Sequence, residues 1–249
     1  MGIPLRLSAR KQGFTLIELL TVVAIIAILM ALLLPALNAA KNAAKKAQAR
    51  TDETSLVNAT HSYYVDYGAY PLIPGAHYNA TAGVNGWDTC YGDPGGAYSS
   101  ADLCDILRAV DDTGLNSHAF NAGNQLNIRH VVYFEPQVAK NATTPRGGLV
   151  TASGGVNGPL GKPIPYGGFV DPWGLEYVVF IDANYDGTLS QTTSAMTANG
   201  VTPALSWFYI APLPNVNSGV AAVSLGPDLS WGTGGNGIFA GSDDIATWQ

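Results

Sequence analysis

Cysteine is almost missing: Cys90 and Cys104 are the only two in 249 residues. That rules out a disulfide-dense scaffold, and no C-x-x-C redox pair exists. The four histidines, His61, His77, His118 and His130, show no metal-ligand spacing such as H-E-x-x-H. No G-x-S-x-G or Walker A sequence is present. Gly232–Gly237 fits G-x-G-x-x-G formally, but only 12 residues follow it, too few for a βαβ unit. Charge is scarce at 12%, and basic charge is scarcest where a partner would need it. Residues 51–249 hold five Lys/Arg against 17 Asp/Glu, which makes a poor nucleic-acid binder, because phosphate contacts need cations. Residues 1–50 reverse the balance, with seven Lys/Arg and one acid.

Charge disappears altogether between Leu19 and Ala40. As a helix, Leu19–Leu37 measures about 28 Å at roughly 1.5 Å per residue, close to a bilayer core of roughly 30 Å. Glu18 stands at the start of this run, and a carboxylate there is costly in lipid unless it has a partner. Before it lies a basic leader ending in Arg10-Lys11-Gln12-Gly13. An ordinary secretory signal cut near Asn38-Ala39-Ala40 is a poorer fit, since the apolar stretch exceeds the usual 7–15 residues and Glu18 interrupts its start. A plain membrane anchor is the other alternative. Lys41, Lys45, Lys46 and Arg50 follow the span as closely as the leader precedes it, so charge alone leaves orientation open.

The chain continues as helix from Ala36 to Tyr67, with Leu56, Ala59, Tyr63 and Tyr67 forming an apolar stripe. Gly68 and Pro71 stop it. Pro35 removes one backbone donor, so a kink or local melting is expected near Ala31–Pro35. Residues 72–168 form a loop-rich αβ insert. It includes a predicted helix over Asp102–Asp111, with Leu103, Ile106, Leu107 and Val110 on one face. A predicted strand follows over Ile128–Phe134. In residues 169–249 three β-rich runs, Glu176–Asp182, Leu205–Ala211 and Gly219–Leu225, suggest an antiparallel sheet with one face on the helix. The fold class expected is therefore α+β: a long N-terminal transmembrane and spine helix packed on a small antiparallel β-sheet with long loops. Its segments are 1–13, 14–38, 39–71, 72–168 and 169–249.

The string Gly13-Phe14-Thr15-Leu16-Ile17-Glu18 resembles the prepilin peptidase motif of type IV pilins and type II secretion pseudopilins. Tyr67-Gly68-Ala69-Tyr70-Pro71, Asp171-Pro172-Trp173-Gly174 and Ser224-Leu225-Gly226-Pro227-Asp228 also resemble segments of major pseudopilins. The resemblance implies cleavage between Gly13 and Phe14, and N-methylation of Phe14. It implies pairing of Glu18 with the Phe14 ammonium of a neighbouring subunit, and a helix that loosens at Pro35 in the filament. It also implies a single-pass inner-membrane protein whose head lies in the periplasm or extracytoplasmic space, and whose filament lies in the periplasm or on the cell surface. The partners implied are prepilin peptidase, minor pilins or pseudopilins, the inner-membrane assembly platform and further copies of the chain. The work implied is structural, supporting type II protein secretion, with no catalysis of its own. Alternatives are a type IV pilus subunit for adhesion, motility or DNA uptake, and an anchored extracytoplasmic binding domain.

Calcium (Ca2+) is the one cofactor implied. Similar C-terminal loops bind it in major pseudopilins, and the resemblance implies the Leu225 carbonyl, with Ser224 as a further candidate, and carboxylates from Asp228, Asp243 or Asp244. The alternative is a solvated acidic turn. A second candidate comes from the residues themselves: Asp182, Asn184, Asp186 and Thr188 match the first half of an EF-hand loop. Thr193 stands where the bidentate Glu belongs, and an Asx-rich turn explains the pattern equally well. For an exported domain, Cys90 and Cys104 are expected to form a disulfide closing a loop of about 15 residues, worth roughly 3 kcal/mol. The alternative is two buried thiols.

Overall fold

The computed structural model describes residues 13–73, 88–92, 98–114, 120–189, 216–232 and 242–248. It divides into two compact units, Met1–Ala44 and Lys45–Gln249. Helix α1, Leu16–Tyr67, contributes to both. In the first unit every described residue is exposed, including the apolar run. Its most apolar window has a mean hydropathy of 2.9 and is long enough to cross a membrane. The helix is continuous through Pro35. The expected local melting is therefore not found, because one missing donor removes a single rung and leaves the neighbouring turns bonded.

In the second unit α1 buries Ala49, Glu53, Leu56, Ala59, Thr60 and Tyr63. The apolar stripe falls where the periodicity puts it. Gly68, at φ +71°, ends the helix by donating its N–H to the Tyr64 carbonyl at 2.8 Å. That conformation strains any residue with a Cβ.

The stripe rests on a four-stranded antiparallel sheet of order β1-β6-β7-β8, comprising Thr89–Tyr91, Val178–Ile181, Val220–Ser224 and Ile245–Ala246. Two of these strands lie inside predicted runs. Leu205–Ala211 lies outside the described residues. Side chains alternate across the sheet. Val179, Ile181, Val220 and Ala222 join a core with α1, while Val178, Phe180, Ala221 and Val223 join a second core on the opposite face. Both faces are covered, which accounts for uninterrupted apolar strands such as Val-Val-Phe-Ile. Smaller pairs, β2 with β5 (Gly148–Leu149, Phe169–Val170) and β3 with β4 (Val156–Asn157, Pro163–Ile164), flank this sheet.

Helix α2 spans Ser100–Leu107 and is wholly buried. Ser99 and Asp102 close a capping box at its start. It stops short of the predicted Asp111 because Ala109 turns to φ +54°. Residues Ile128–Phe134 form no strand. The Tyr133 and Phe134 N–H groups instead donate to the Leu107 carbonyl at 2.8 and 3.2 Å, capping the end of α2.

The expected disulfide is absent: Cys90 and Cys104 are both thiols. Tyr91 on β1 points into the core that holds Cys104, so the preceding Cys90 points to the opposite face and packs against the second core. Burial pushes the Cys104 thiol upward, with Asp105 adding to the effect.

Candidate processing and assembly site

Gly13 is exposed, and a Cβ added to it meets nothing within 4 Å. Phe14 beside it is 77% exposed. The helix then begins under a tight cap. The Thr15 N–H and Oγ1–H both donate to Glu18 Oε2, at 2.8 and 2.7 Å, and the Glu18 N–H returns a longer bond to Thr15 Oγ1 at 3.3 Å. This is a capping box, in which side chains satisfy donors the first turn leaves orphaned. The sequence carries its signature, a Thr followed three residues later by Glu, ahead of an apolar run. Reading Glu18 only as an intersubunit partner misses Thr15. Both bonds that Thr15 donates end on Oε2, so Oε1 stands outside the cap.

The proposed calcium residues gather at one end of the sheet. Leu225 is buried at the end of β7. Gly226 lies so close that a Cβ there would sit 2.5 Å from the Asp243 carbonyl oxygen, which ties the 225–228 turn to the segment leading into β8. The Asp228 N–H donates to Asp243 Oδ2 at 3.2 Å. Asp244 Oδ2 accepts from the Gly232 N–H at 2.6 Å, while its Oδ1 is buried with no hydrogen-bond partner among the described residues. Burial, reinforced by Asp228 and Asp243, pushes Asp244 up to about 6. An unpartnered carboxylate oxygen fits a cation. Among the described residues, however, no group of three or more His, Cys, Asp or Glu is placed to hold a metal. The loop residues 233–241 lie outside the described residues.

The second candidate folds onto itself. Asp182 accepts from the Gly187 N–H at 2.8 Å and the Asp186 N–H at 3.3 Å. Asp186 Oδ1 accepts from the Thr188 N–H and hydroxyl, both at 2.8 Å, and Asn184 Oδ1 accepts from the Asp186 N–H at 3.0 Å. These are the self-bonding contacts of an Asx turn, with the backbone donors occupying the carboxylates.

The Asp171-Pro172-Trp173-Gly174 stretch is structural. Asp171 Oδ1 accepts from the N–H groups of Trp173, Gly174 and Leu175 at 2.9, 2.7 and 3.0 Å, and Oδ2 accepts from Ser224 Oγ at 2.7 Å. The turn so formed presents Trp173 to the α1 core, with Lys45 Nζ 5.8 Å from its ring centroid.

No curated protein and no solved structure matches the chain. The apolar helix, capped directly after Gly13, fits a membrane-anchored protein with an extracytoplasmic head. Residues 8–34 match the family model described as the prokaryotic N-terminal methylation motif, and this match supports placing the chain in a type IV pilin-like superfamily.

Proposed function

We propose that the chain is a pseudopilin of a type II secretion system, cut between Gly13 and Phe14, methylated at Phe14 and polymerised through α1. The observation that carries this reading is the capped helix start. Glu18 holds Thr15 of its own chain through Oε2 and keeps Oε1 for a second donor. Cleavage at Gly13 creates that donor, the α-ammonium of Phe14, and methylation preserves its charge. In lipid such a pair rewards only the correct stagger of neighbouring helices. Prepilin peptidase, minor pseudopilins and an inner-membrane platform complete the pathway.

Intact mass and N-terminal sequence of the protein from its native membrane test this directly. The expected chain begins at N-methyl Phe14. A chain still beginning at Met1 means a plain anchor, and one beginning near Ala39 means a secreted domain. Either overturns the reading. A surface type IV pilus is the second reading. It draws on the middle region 72–168, which supplies α2 and β1 to the core of the head. Filament length and surface exposure separate the two.

We also propose calcium at Leu225, Asp228, Asp243 and Asp244, on the strength of the buried, unpartnered Oδ1 of Asp244. An ion bound only by the folded state stabilises it by mass action, about 2.7 kcal/mol at a hundredfold excess over Kd. Chelation should lower Tm by roughly 5–10 °C at two to four degrees per kcal/mol. An unchanged Tm with all three aspartates intact removes calcium from the account.

A further inference from the structure

We propose that Glu53 is a proton-operated latch: its neutral carboxyl lets α1 sit on the Asp171 turn and on β7, and loss of the proton loosens that seat. Glu53 lies in the buried stripe of α1, 1% exposed, and its Oε1 has no hydrogen-bond partner among the described residues. Among the described residues, the groups facing it are few. From its own helix come Asp52 and Arg50. From the turn before β6 comes Asp171, which is fully buried. From β7 comes the Ser224 backbone N–H, which donates to it. Tyr177 belongs to the same cluster, its hydroxyl donating to Asp52 Oδ2 at 2.9 Å.

Asp171 already holds the donors that favour an anion there, three backbone N–H groups and the Ser224 hydroxyl. A second carboxylate ionised beside it would be a buried charge with, among the described residues, only the exposed Arg50 to offset it. Glu53 therefore carries a proton. Burial, helped by the charges of Asp171 and Asp52, pushes it up to about 9.

The sign follows from linkage. Folding raises this acid above its ordinary value of 4.5, so between that value and about 9 the folded chain holds a proton that the unfolded chain has lost. The group's contribution is best below about 4.5, and stability is lost as pH rises toward about 9. In the linear part of that window the unfolding equilibrium constant grows up to about tenfold per pH unit. Glutamine keeps the shape and cannot ionise.

The test uses the full chain in detergent micelles, comparing unfolding of the wild type with Glu53→Gln between pH 7 and 8.5. The wild-type constant should climb more steeply, by close to one proton, and the variant should be the more stable protein at pH 8.5. Taking the difference cancels groups common to both, among them Asp102 and Cys104. Parallel slopes, or a less stable variant at pH 8.5, overturn the latch. A second measurement needs no variant. The infrared carbonyl band of a protonated carboxyl should persist in the folded wild type at pH 8 and fade near pH 9. Absence of the band at pH 8 overturns the proposal.

Discussion

Glu18→Ala should yield a subunit that is inserted and trimmed at Gly13, yet does not polymerise. Two contributions are lost together. One is the cap of α1, since Thr15 loses the acceptor of both its donors, at a cost of about 0.5–2 kcal/mol. The other is the proposed partner of the neighbour's Phe14 ammonium. Removing one member of a buried ion pair costs about 3–5 kcal/mol, which is two to three powers of ten or more at each subunit contact. Thr15→Ala separates the two, because it damages the cap and spares the carboxylate. Filaments sheared from cells and pelleted should fall at least about a hundredfold for Glu18→Ala and far less for Thr15→Ala. Wild-type yield from Glu18→Ala would refute the pairing. Equal losses from both variants would place the effect in the cap.

The parts that were legible in the sequence are those where one local signal decides the outcome. An uncharged run of bilayer length, a stripe at helical spacing and a glycine after the last helical residue gave α1 and its end. The buried members of β6 and β7 stood out because they are apolar on both faces. What stayed hidden depends on neighbours. Thr89–Tyr91 is three residues long and Ile245–Ala246 is two, and each is a strand only because β6 or β7 lies alongside. Ile128–Phe134 has strand composition but, among the described residues, no strand beside it, and its Tyr133 and Phe134 N–H groups cap α2. The cysteine spacing suited a bridge, whereas the alternation along β1 sends Cys90 away from Cys104. Glu53 was invisible because a polar residue inside an apolar stripe reads as an exposed flank until the facing surface is known. In the candidate site, Gly13, Phe14 and Glu18 needed only chain order. Thr15 needed the helix start to be built.

Asp171→Ala should be the most damaging single change in the head. It removes one acceptor oxygen from three backbone N–H groups and another from the Ser224 hydroxyl, all in a fully buried position. Each buried group left unsatisfied costs about 1–3 kcal/mol, so about 4 kcal/mol or more is expected even if the effects overlap. That is a large share of a stability of about 5–15 kcal/mol, and it corresponds to a fall in Tm of roughly 8–16 °C. Two milder changes fix the cause. Asp171→Asn keeps a carbonyl oxygen for the three N–H groups and places an amide beside a hydroxyl that is free to turn and accept, so about 1–2 kcal/mol is expected. Ser224→Ala removes a single donor, for about 1 kcal/mol. Thermal melts followed by Trp173, which packs in the core with α1, should rank the variants in that order. The rank matters more than the sizes. If Asp171→Ala melts within a few degrees of Ser224→Ala, the Asp171 turn contributes no more than one ordinary hydrogen bond. The seat of α1 would then rest on apolar contacts from Leu56, Ala59 and Tyr63 alone.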